Sequence, residues 1–296
     1  MIERFDAEWL ALREPFDHAA RSIALAKRLS TMLPKRPRLV DIGAGTGSLF
    51  RFLAPIIGRG QDWTLVDADE ALLDEAFGRT AAWARRRGYG ATAQGDELSV
   101  TTPHGLWRMR VLASPSWPGL PQPSTSLLRV CGEDVDGRAK PGHDETDVVV
   151  CSALLDLVSA SWLKRLCDSL RVSFLACLTV DGRDAWLPRH PYDRLVLSAF
   201  HRDMRRDKGF GRALGIAASH ALSASASAPS DWHIPRTALR MQRALIDGTA
   251  DAARNARPQL GRAITEWQAA RLRQAVRGRL AIHIGHRDIL VLPSGG

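Results

Sequence analysis

The sequence of 296 residues has few cysteines and no long apolar run. Its four cysteines, Cys131, Cys151, Cys167 and Cys177, include no C-x-x-C pair, which argues against a zinc site or a redox motif and predicts free thiols. No apolar stretch approaches the roughly 20 residues that a membrane-spanning helix needs. The first ten residues carry three acids and lack the apolar core of a signal peptide. We therefore expect a cytoplasmic protein without membrane contact.

Lysine is also scarce, since arginine supplies 36 of the 41 basic residues. The formal net charge of +9 and the pI near 10.1 are compatible with nucleic-acid binding. The arginines are dispersed along the chain, however, which favours a solvated surface over a track that binds phosphates. A small-molecule substrate is therefore favoured, and a nucleic-acid partner stays the less favoured alternative.

The most informative segment of the chain is rich in glycine. Asp41 follows an apolar run, and Gly43, Gly45 and Gly47 come after it at alternate positions. This pattern predicts a buried strand that turns sharply into a helix beginning at Ser48. Glycine has no Cβ and reaches positive φ without strain, so a ligand can lie directly on the main chain of such a turn.

A second acidic residue follows at a fixed distance. Residues 63–69 predict a short second strand, and Asp67 lies near its end, twenty residues after Gly47. A carboxylate at this place can accept hydrogen bonds from both ribose hydroxyls of an adenosine ligand. A glycine turn that binds no ligand is the alternative interpretation.

The spacing of the glycines indicates which adenosine ligand is expected. Dinucleotide-binding folds use G-x-G-x-x-G, with a pyrophosphate at the helix N-terminus. The G-x-G-x-G pattern after Asp41 instead resembles motif I of class I S-adenosylmethionine (SAM) dependent methyltransferases. The resemblance implies SAM as the cofactor, with Gly43, Gly45 and Gly47 beneath its methionine part. It also implies that Asp41 organises the loop and the amino group of SAM, and that Asp67 holds the ribose.

Further candidate cofactor-binding residues lie in or near the same segments. The resemblance implies an acidic residue after strand three that holds the adenine amino group; none is evident there, and Asp96 is the candidate for this role. The remaining candidates are Ala44, Thr46, Ala68, Ser152 and Ala153. No metal site is predicted.

Alternating strands and helices predict an α/β fold with a doubly wound, mostly parallel sheet. The resemblance implies seven strands with an antiparallel last strand, in a three-layer α/β/α arrangement. We expect an N-terminal helical cap over residues 1–37 and a methyltransferase domain over 38–293. Residues 280–292 predict the closing strand with a bulge, or a terminal hairpin, and residues 231–234 a short sixth strand. Residues from about 6 to 33 predict one helix, or two with Pro15 as the first residue of the second.

A segment rich in proline and glycine interrupts the domain at residues 115–145. It contains VDGRAKPGHDE, which resembles translated copies of a palindromic repeat scattered through alphaproteobacterial genes. The resemblance implies a disordered surface insertion without chemistry of its own, and a lid over the site is the alternative.

Two residues are candidates for catalysis. Asp156 follows strand four, at the position of motif IV in the family, and could orient the substrate or act as a base; a helix N-cap is the alternative. His201 could be a general base after strand five, or merely exposed. Residues 207–211 could form a substrate lid, or only a helix end and turn. Arg13, Glu14, Asp17 and Arg21 could line the site from the N-terminal cap, or form a solvated face with an internal ion pair.

The sequence thus predicts a SAM-dependent methyltransferase that acts on a small molecule. The missing N-P-P-[YFW] and Pro-Cys motifs argue against methylation of adenine N6, glutamine amides or cytosine C5. An RNA methyltransferase, an NAD(P)-dependent oxidoreductase and a SAM-binding protein without catalysis stay as alternatives. The glycine spacing and the lack of a Tyr-x-x-x-Lys pair argue against the oxidoreductase.

Overall fold

The computed structural model describes residues 6–113 and 146–293. The predicted insertion at residues 115–145 lies outside the described residues. The strands are β1 Arg38–Ile42, β2 Gln61–Asp67, β3 Gly90–Gln94, β4 Glu97–Thr102, β5 Gly105–Ala113, β6 Val148–Ser152, β7 Ser173–Leu187, β8 Ala226–Pro229, β9 Trp232–Ile234 and β10 Ala281–Val291. The α-helices are α1 Ala7–Ala20, α2 Ile23–Met32, α3 Ser48–Ile57, α4 Glu70–Arg86, α5 Ala160–Ser169, α6 Asp193–Met204, α7 Leu239–Ala256 and α8 Gly261–Val276.

One sheet contains all of these strands, in the order β3-β4-β5-β2-β1-β6-β7-β10-β8, with β9 paired to β10. Its five central strands, β5, β2, β1, β6 and β7, are parallel, and β10 is antiparallel to β7. The predicted fold class is confirmed. The described sheet has ten strands rather than seven, because the hairpin β3–β4 extends one edge and both β8 and β9 pair with β10.

Helices cover both faces of the sheet because side chains alternate along each buried strand. Leu65 of β2 belongs to the apolar cluster that contains Phe50 of α3, whereas the next residue, Val66, belongs to the cluster that contains Leu163 of α5. The chain therefore has the expected three layers. The carboxyl ends of β1, β2 and β6 meet at one edge, where the strand order reverses between β1 and β6.

The N-terminal helices differ from the prediction at Pro15. This residue lies inside α1 and does not begin the second helix. Asp6 caps α1 by accepting a hydrogen bond from the amide of Glu8, so the helix begins well before the proline. The second helix begins after Ser22, whose hydroxyl accepts from the amide of Leu25 at 3.2 Å.

The last strand is a single continuous strand, so the alternative of a terminal hairpin is wrong. Register shifts between Ile284 and His286 and between Arg287 and Ile289 give the predicted irregularity in the middle of β10. The predicted sixth strand is β9, and the preceding Ser/Ala-rich stretch forms β8 at the sheet edge. None of the helices in the described part of the chain is long and apolar enough to span a membrane.

Candidate functional site

The glycine loop between β1 and α3 adopts the backbone conformation that its sequence predicts. Gly43, Gly45 and Gly47 have φ values of +68°, +52° and +78°, a region in which side chains with a Cβ are strained. The amides of Gly43 and Ala44 both donate to the carbonyl of Val66, at 2.9 and 3.1 Å. These bonds fix the loop against the end of β2.

Asp67 lies against the same loop. Its Oδ2 accepts a hydrogen bond from the amide of Gly45 at 2.7 Å, and its Oδ1 accepts from the amide of Asp69 at 3.0 Å. Burial raises the pKa of Asp67, and these backbone hydrogen bonds oppose that rise. Since each carboxylate oxygen can accept more than one hydrogen bond, both oxygens keep capacity for ligand hydroxyls.

Asp41 is the other carboxyl at this edge, and it is nearly inaccessible, with 1% of its surface exposed. Neither of its oxygens has a hydrogen-bond partner among the described residues. Burial raises its pKa to about 8, although the charge of Arg21 opposes the rise. A buried carboxyl without hydrogen-bond partners lowers the stability of the fold. The two oxygens of Asp41 therefore mark a place where a polar ligand group would be bound favourably.

A cavity lies above these groups, at the carboxyl edge of the sheet. Its lining includes nine of the eleven residues predicted to bind the cofactor: Asp41, Gly43, Ala44, Gly45, Thr46, Asp67, Ala68, Ser152 and Ala153. Gly47 packs beneath the loop, where a Cβ would lie 3.2 Å from Leu65 Cδ2. Asp96 is exposed in the turn between β3 and β4 and is not part of the lining.

The end of β6 forms one wall of the cavity. Ala153 has a φ of +52°, which is unfavourable for a residue with a Cβ, and its amide donates to the carbonyl of Cys177 at 2.9 Å. Such strained residues cluster at ligand sites. Leu154 and Leu157 continue the wall with apolar surface.

Helix α1 and the residue after it line another side of the cavity. Leu10, Arg13, Asp17 and Arg21 line it and recur at intervals of three or four residues, so they share one face of the helix. This is the edge that the sequence suggested as one of two alternatives for Arg13, Asp17 and Arg21. Glu14 points elsewhere, because both of its carboxylate oxygens accept hydrogen bonds from Arg51 at 2.7 Å.

Phe210 adds a further apolar side to the cavity. The turn that carries it is held by Asp207, whose Oδ1 accepts from the amides of Gly209 and Gly211 at 2.7 and 3.1 Å. The ring of Phe210 packs edge-on against Trp162, with the centroids 6.1 Å apart. The segment 207–211, for which the sequence suggested a substrate lid or a helix end and turn, thus contributes Phe210 to the cavity lining.

The two predicted catalytic residues do not line the cavity. His201 lies on α6, and its Nε2 is 2.7 Å from Asp184 Oδ2. This pairing fixes the position of the imidazole ring. Asp156 is buried in the turn between two lining residues, and its carbonyl accepts from the amide of Gly215 at 3.0 Å. Asp156 is not a helix N-cap, because Ser159 caps α5.

Sequence reasoning did not single out several lining residues, among them Leu10, Leu49, Leu72 and Leu157. For Leu10, the available signal in the sequence was its spacing of three or four residues from the polar residues that share its face of α1. Within residues 6–113 and 146–293, no group of three or more His, Cys, Asp or Glu side chains is placed to hold a metal ion.

Comparisons with known proteins give short sequence matches and distant structural ones. No family model matches the chain. A stretch of 82 residues, 28% of this chain, is 34% identical to an error-prone DNA polymerase of Rhodopseudomonas palustris and covers 7% of it. A stretch of 60 residues, 20% of this chain, is 47% identical to the biotin biosynthesis bifunctional protein BioCD of Bordetella avium and covers 12% of it. The chain thus matches only a small part of these relatives.

Among solved structures, the chain is similar to a SAM-dependent methyltransferase of Geobacter sulfurreducens in complex with S-adenosylhomocysteine. The alignment covers 99% of this chain and 100% of that one, with 14% identity and a TM-score of 0.41. The strand order of this chain can be compared directly with the expectation from its sequence. Five parallel strands, the antiparallel β10 and the glycine loop at the point where the order reverses agree with the sheet that the sequence resemblance implies.

Proposed function

We propose that this protein is a SAM-dependent methyltransferase that acts on a small molecule. The observation that carries the proposal is that Asp67, Asp41 and a bare glycine loop line one cavity, with Asp67 bonded to the amide of Gly45. This arrangement offers the oxygens of Asp67 to ribose hydroxyls and the carboxyl of Asp41 to an amino group. A nucleoside that carries an amino acid has both groups.

The ribose end rests on Asp67. Its two oxygens are held in fixed directions by the amides of Gly45 and Asp69, so the carboxylate needs no reorganisation to accept two further hydrogen bonds. The glycine loop lets the ligand approach the main chain because glycine has no Cβ. A Cβ at Gly45 would also crowd α1, since it would lie 3.2 Å from Leu10 Cδ1. We infer that these residues bind the nucleoside.

The amino-acid end rests on Asp41. An ammonium group placed in the cavity would give its buried carboxyl the partner that the described residues do not supply. Bound SAM supplies an electrophilic methyl group on a sulfonium centre. The contribution of the protein is then to hold the acceptor in line with that methyl and to exclude water.

The surroundings of the cavity favour a small acceptor. Helix α1 lines one side of the cavity, and Leu154, Leu157 and Phe210 add apolar surface to it. A concave, largely apolar lining with a few polar groups is typical of small-molecule sites, and the dispersed arginines of the sequence do not favour a phosphate-binding track. If the acceptor must lose a proton, Asp156 is the better placed of the two predicted bases, since in the sequence it lies between two residues that line the cavity.

Calorimetric titration with S-adenosylhomocysteine, SAM and NAD tests the cofactor. We expect both SAM-type ligands to bind and NAD not to bind. Asp67→Asn should weaken S-adenosylhomocysteine binding by about 10-fold or more, because charge-assisted hydrogen bonds to both hydroxyls are lost. Asp62→Asn is the matched control, since Asp62 lies at the opposite end of β2 and pairs with Arg36. Tighter binding of NAD than of S-adenosylhomocysteine would refute the proposal.

The acceptor class can be tested with SAM labelled at its methyl group. Incubation with pools of small metabolites and, separately, with total RNA is followed by counting the transferred label. Transfer to small molecules supports the proposal, whereas transfer to RNA alone would favour the RNA methyltransferase. Binding of SAM without transfer to either pool would favour the non-catalytic alternative.

A further inference from the structure

An arginine in the middle of α1 lies in the cavity with part of its guanidinium unused. Arg13 lines the cavity, and only 12% of its side chain is exposed. Its Nε donates to the two carboxylate oxygens of Asp17, at 3.2 and 3.1 Å. Neither of its terminal nitrogens, Nη1 and Nη2, has a hydrogen-bond partner among the residues that the structure describes. This mostly buried guanidinium therefore keeps hydrogen-bond donors for a ligand.

Two tryptophans fix the position of this guanidinium. The Cζ of Arg13 lies 4.7 Å from the ring centre of Trp232 and 6.0 Å from that of Trp9. Trp232 Nε1 also donates to Asp17 Oδ1 at 3.1 Å, so the ring and the carboxylate are held together. Arg13 thus has an aromatic ring beside it and a carboxylate at its Nε, and the edge that carries its two terminal nitrogens is left for a ligand.

Positive charge exceeds negative charge in this part of the cavity. Asp17 is bonded to Arg13 and also lies 4.0 Å from Arg21, so one carboxylate serves two guanidiniums. Burial, and next the positive charge of Arg13, lower the pKa of His286 to about 4. The charge of Arg13 therefore still acts on its surroundings. This surplus favours an anionic ligand group over a neutral one.

Arg13 belongs to a different part of the cavity from the carboxylate proposed to hold the ribose. Trp232, against which Arg13 packs, is in β9, and β9 pairs with β10. In the sheet order, β10 lies four strands from β2, which carries Asp67. At about 4.8 Å between neighbouring strands, this separation is about 19 Å. Arg13 is therefore better placed for the methyl acceptor than for the ribose.

We propose that Arg13 binds a carboxylate of the methyl acceptor, which makes the acceptor a small carboxylic acid. This inference rests on the proposed function and names the class of acceptor for the same site. A carboxylate fits because its two oxygens can accept parallel hydrogen bonds from the two terminal nitrogens of a guanidinium. Leu154, Leu157 and Phe210 supply apolar surface in the same cavity for the rest of such a molecule.

Probes that have nearly the same shape but differ in charge test this subsite. Benzoate and benzamide are such a pair, and phenyl phosphate distinguishes a phosphate from a carboxylate. Each probe is titrated by ligand-observed NMR at neutral pH against the complex of the protein with S-adenosylhomocysteine. The proteins are the unaltered chain, Arg13→Met, Arg13→Lys and Arg87→Met. Arg87 is the matched control, because its Cζ lies 5.1 Å from the ring centre of Trp83 and it does not line the cavity.

We expect the complex of the unaltered protein to bind benzoate at least about 10-fold more tightly than benzamide. In Arg13→Met this ratio should fall to about twofold or less, and Arg87→Met should keep it. Arg13→Lys should keep only part of the ratio, because lysine retains the charge but not the paired donors. S-adenosylhomocysteine should bind Arg13→Met within about threefold of the unaltered protein. If Arg13→Met does not fold, the unaltered protein and Arg13→Lys still test the inference through the same ratio.

Equal binding of benzoate and benzamide by the unaltered complex, or no binding of benzoate at millimolar concentration, would overturn the inference. An equal loss of both probes in Arg13→Met would also overturn it, because Arg13 would then only brace the cap. Tighter binding of phenyl phosphate that depends on Arg13 would make the acceptor a phosphate instead, and a larger loss of S-adenosylhomocysteine than of benzoate would assign Arg13 to the cofactor. All of these results leave the proposed function in place, whereas failure of the unaltered protein to bind S-adenosylhomocysteine would refute the proposed function itself.

Discussion

The buried carboxyl of Asp41, which has no hydrogen-bond partner among residues 6–113 and 146–293, makes the stability of the protein depend on pH in a calculable way. Its pKa in the folded protein is about 8, against an ordinary value of 3.8. The folded protein therefore holds this proton more tightly than the unfolded chain. The resulting stabilisation is fully present below about pH 4 and is lost as the pH rises to about 8.

The magnitude follows from the linkage relation. Between these two pH values, Asp41 lowers the free energy of unfolding by about 1.4 kcal/mol for each unit of pH. From pH 5 to pH 7 the loss amounts to about 3 kcal/mol. Asp41→Asn keeps the shape of the side chain and removes the titration. The difference in unfolding free energy between the two proteins should therefore change by about 3 kcal/mol in favour of the variant over this range.

Urea denaturation measures this difference, with the fluorescence of the nine tryptophans as the signal. Other carboxylates titrate in both proteins, so they cancel when the two curves are subtracted at each pH. A difference that stays constant from pH 5 to pH 7 would refute the argument, because it would mean that Asp41 is ionised in the ligand-free fold. The amide of the variant carries its own cost, but that cost does not depend on pH.

Four further predictions concern the same region. Binding of S-adenosylhomocysteine at pH 7 should release about 0.9 of a proton from the unaltered protein and none from Asp41→Asn, as measured by calorimetry in buffers of different ionisation enthalpy. Gly45→Ala should lower the unfolding free energy by about 1 to 2 kcal/mol, because alanine is strained at the positive φ of this residue, and it should also weaken the binding of S-adenosylhomocysteine. Gly88→Ala is the control: its φ is also positive, a Cβ there would lie in open space, and binding should be unchanged. Glu14→Gln should cost about 3 kcal/mol in urea denaturation, because it leaves the buried charge of Arg51 without its carboxylate; a cost below about 1 kcal/mol would show that the pair behaves like an exposed one. Ala153→Gly should raise the unfolding free energy by about 1 kcal/mol, since glycine adopts its φ of +52° without strain, and an unchanged value would contradict that strain.

The glycine loop was predictable because its signals are local. Asp41, Gly43, Gly45 and Gly47 lie within seven residues, and the positive φ values required there are properties of the backbone at those positions. Asp67 was predictable for a related reason, since parallel neighbouring strands end at the same edge of a sheet. Strands with apolar runs, such as β1 and β6, were identified for the same local reason.

The elements that the sequence did not reveal depend on partners far along the chain. Strand β3 is mostly exposed and carries no apolar alternation, so only its pairing with β4 makes it a strand. Strand β8 is a run of small residues that becomes a strand because β10 supplies its hydrogen bonds. Pro15 is tolerated inside α1, where tertiary contacts of the helix outweigh the loss of one backbone hydrogen bond.

By itself, the sequence determined the fold class and the part of the cavity formed by the glycine loop and Asp67, because a turn and two strand ends are set by residues close to one another in the chain. Only the tertiary structure decided which groups complete the cavity. Arg21 and Phe210 come from segments that are distant in sequence, and their meeting depends on how α1 and the turn after α6 pack on the sheet. The pKa of Asp41 was likewise decided by the fold, since burial without a partner is a property of the assembled core.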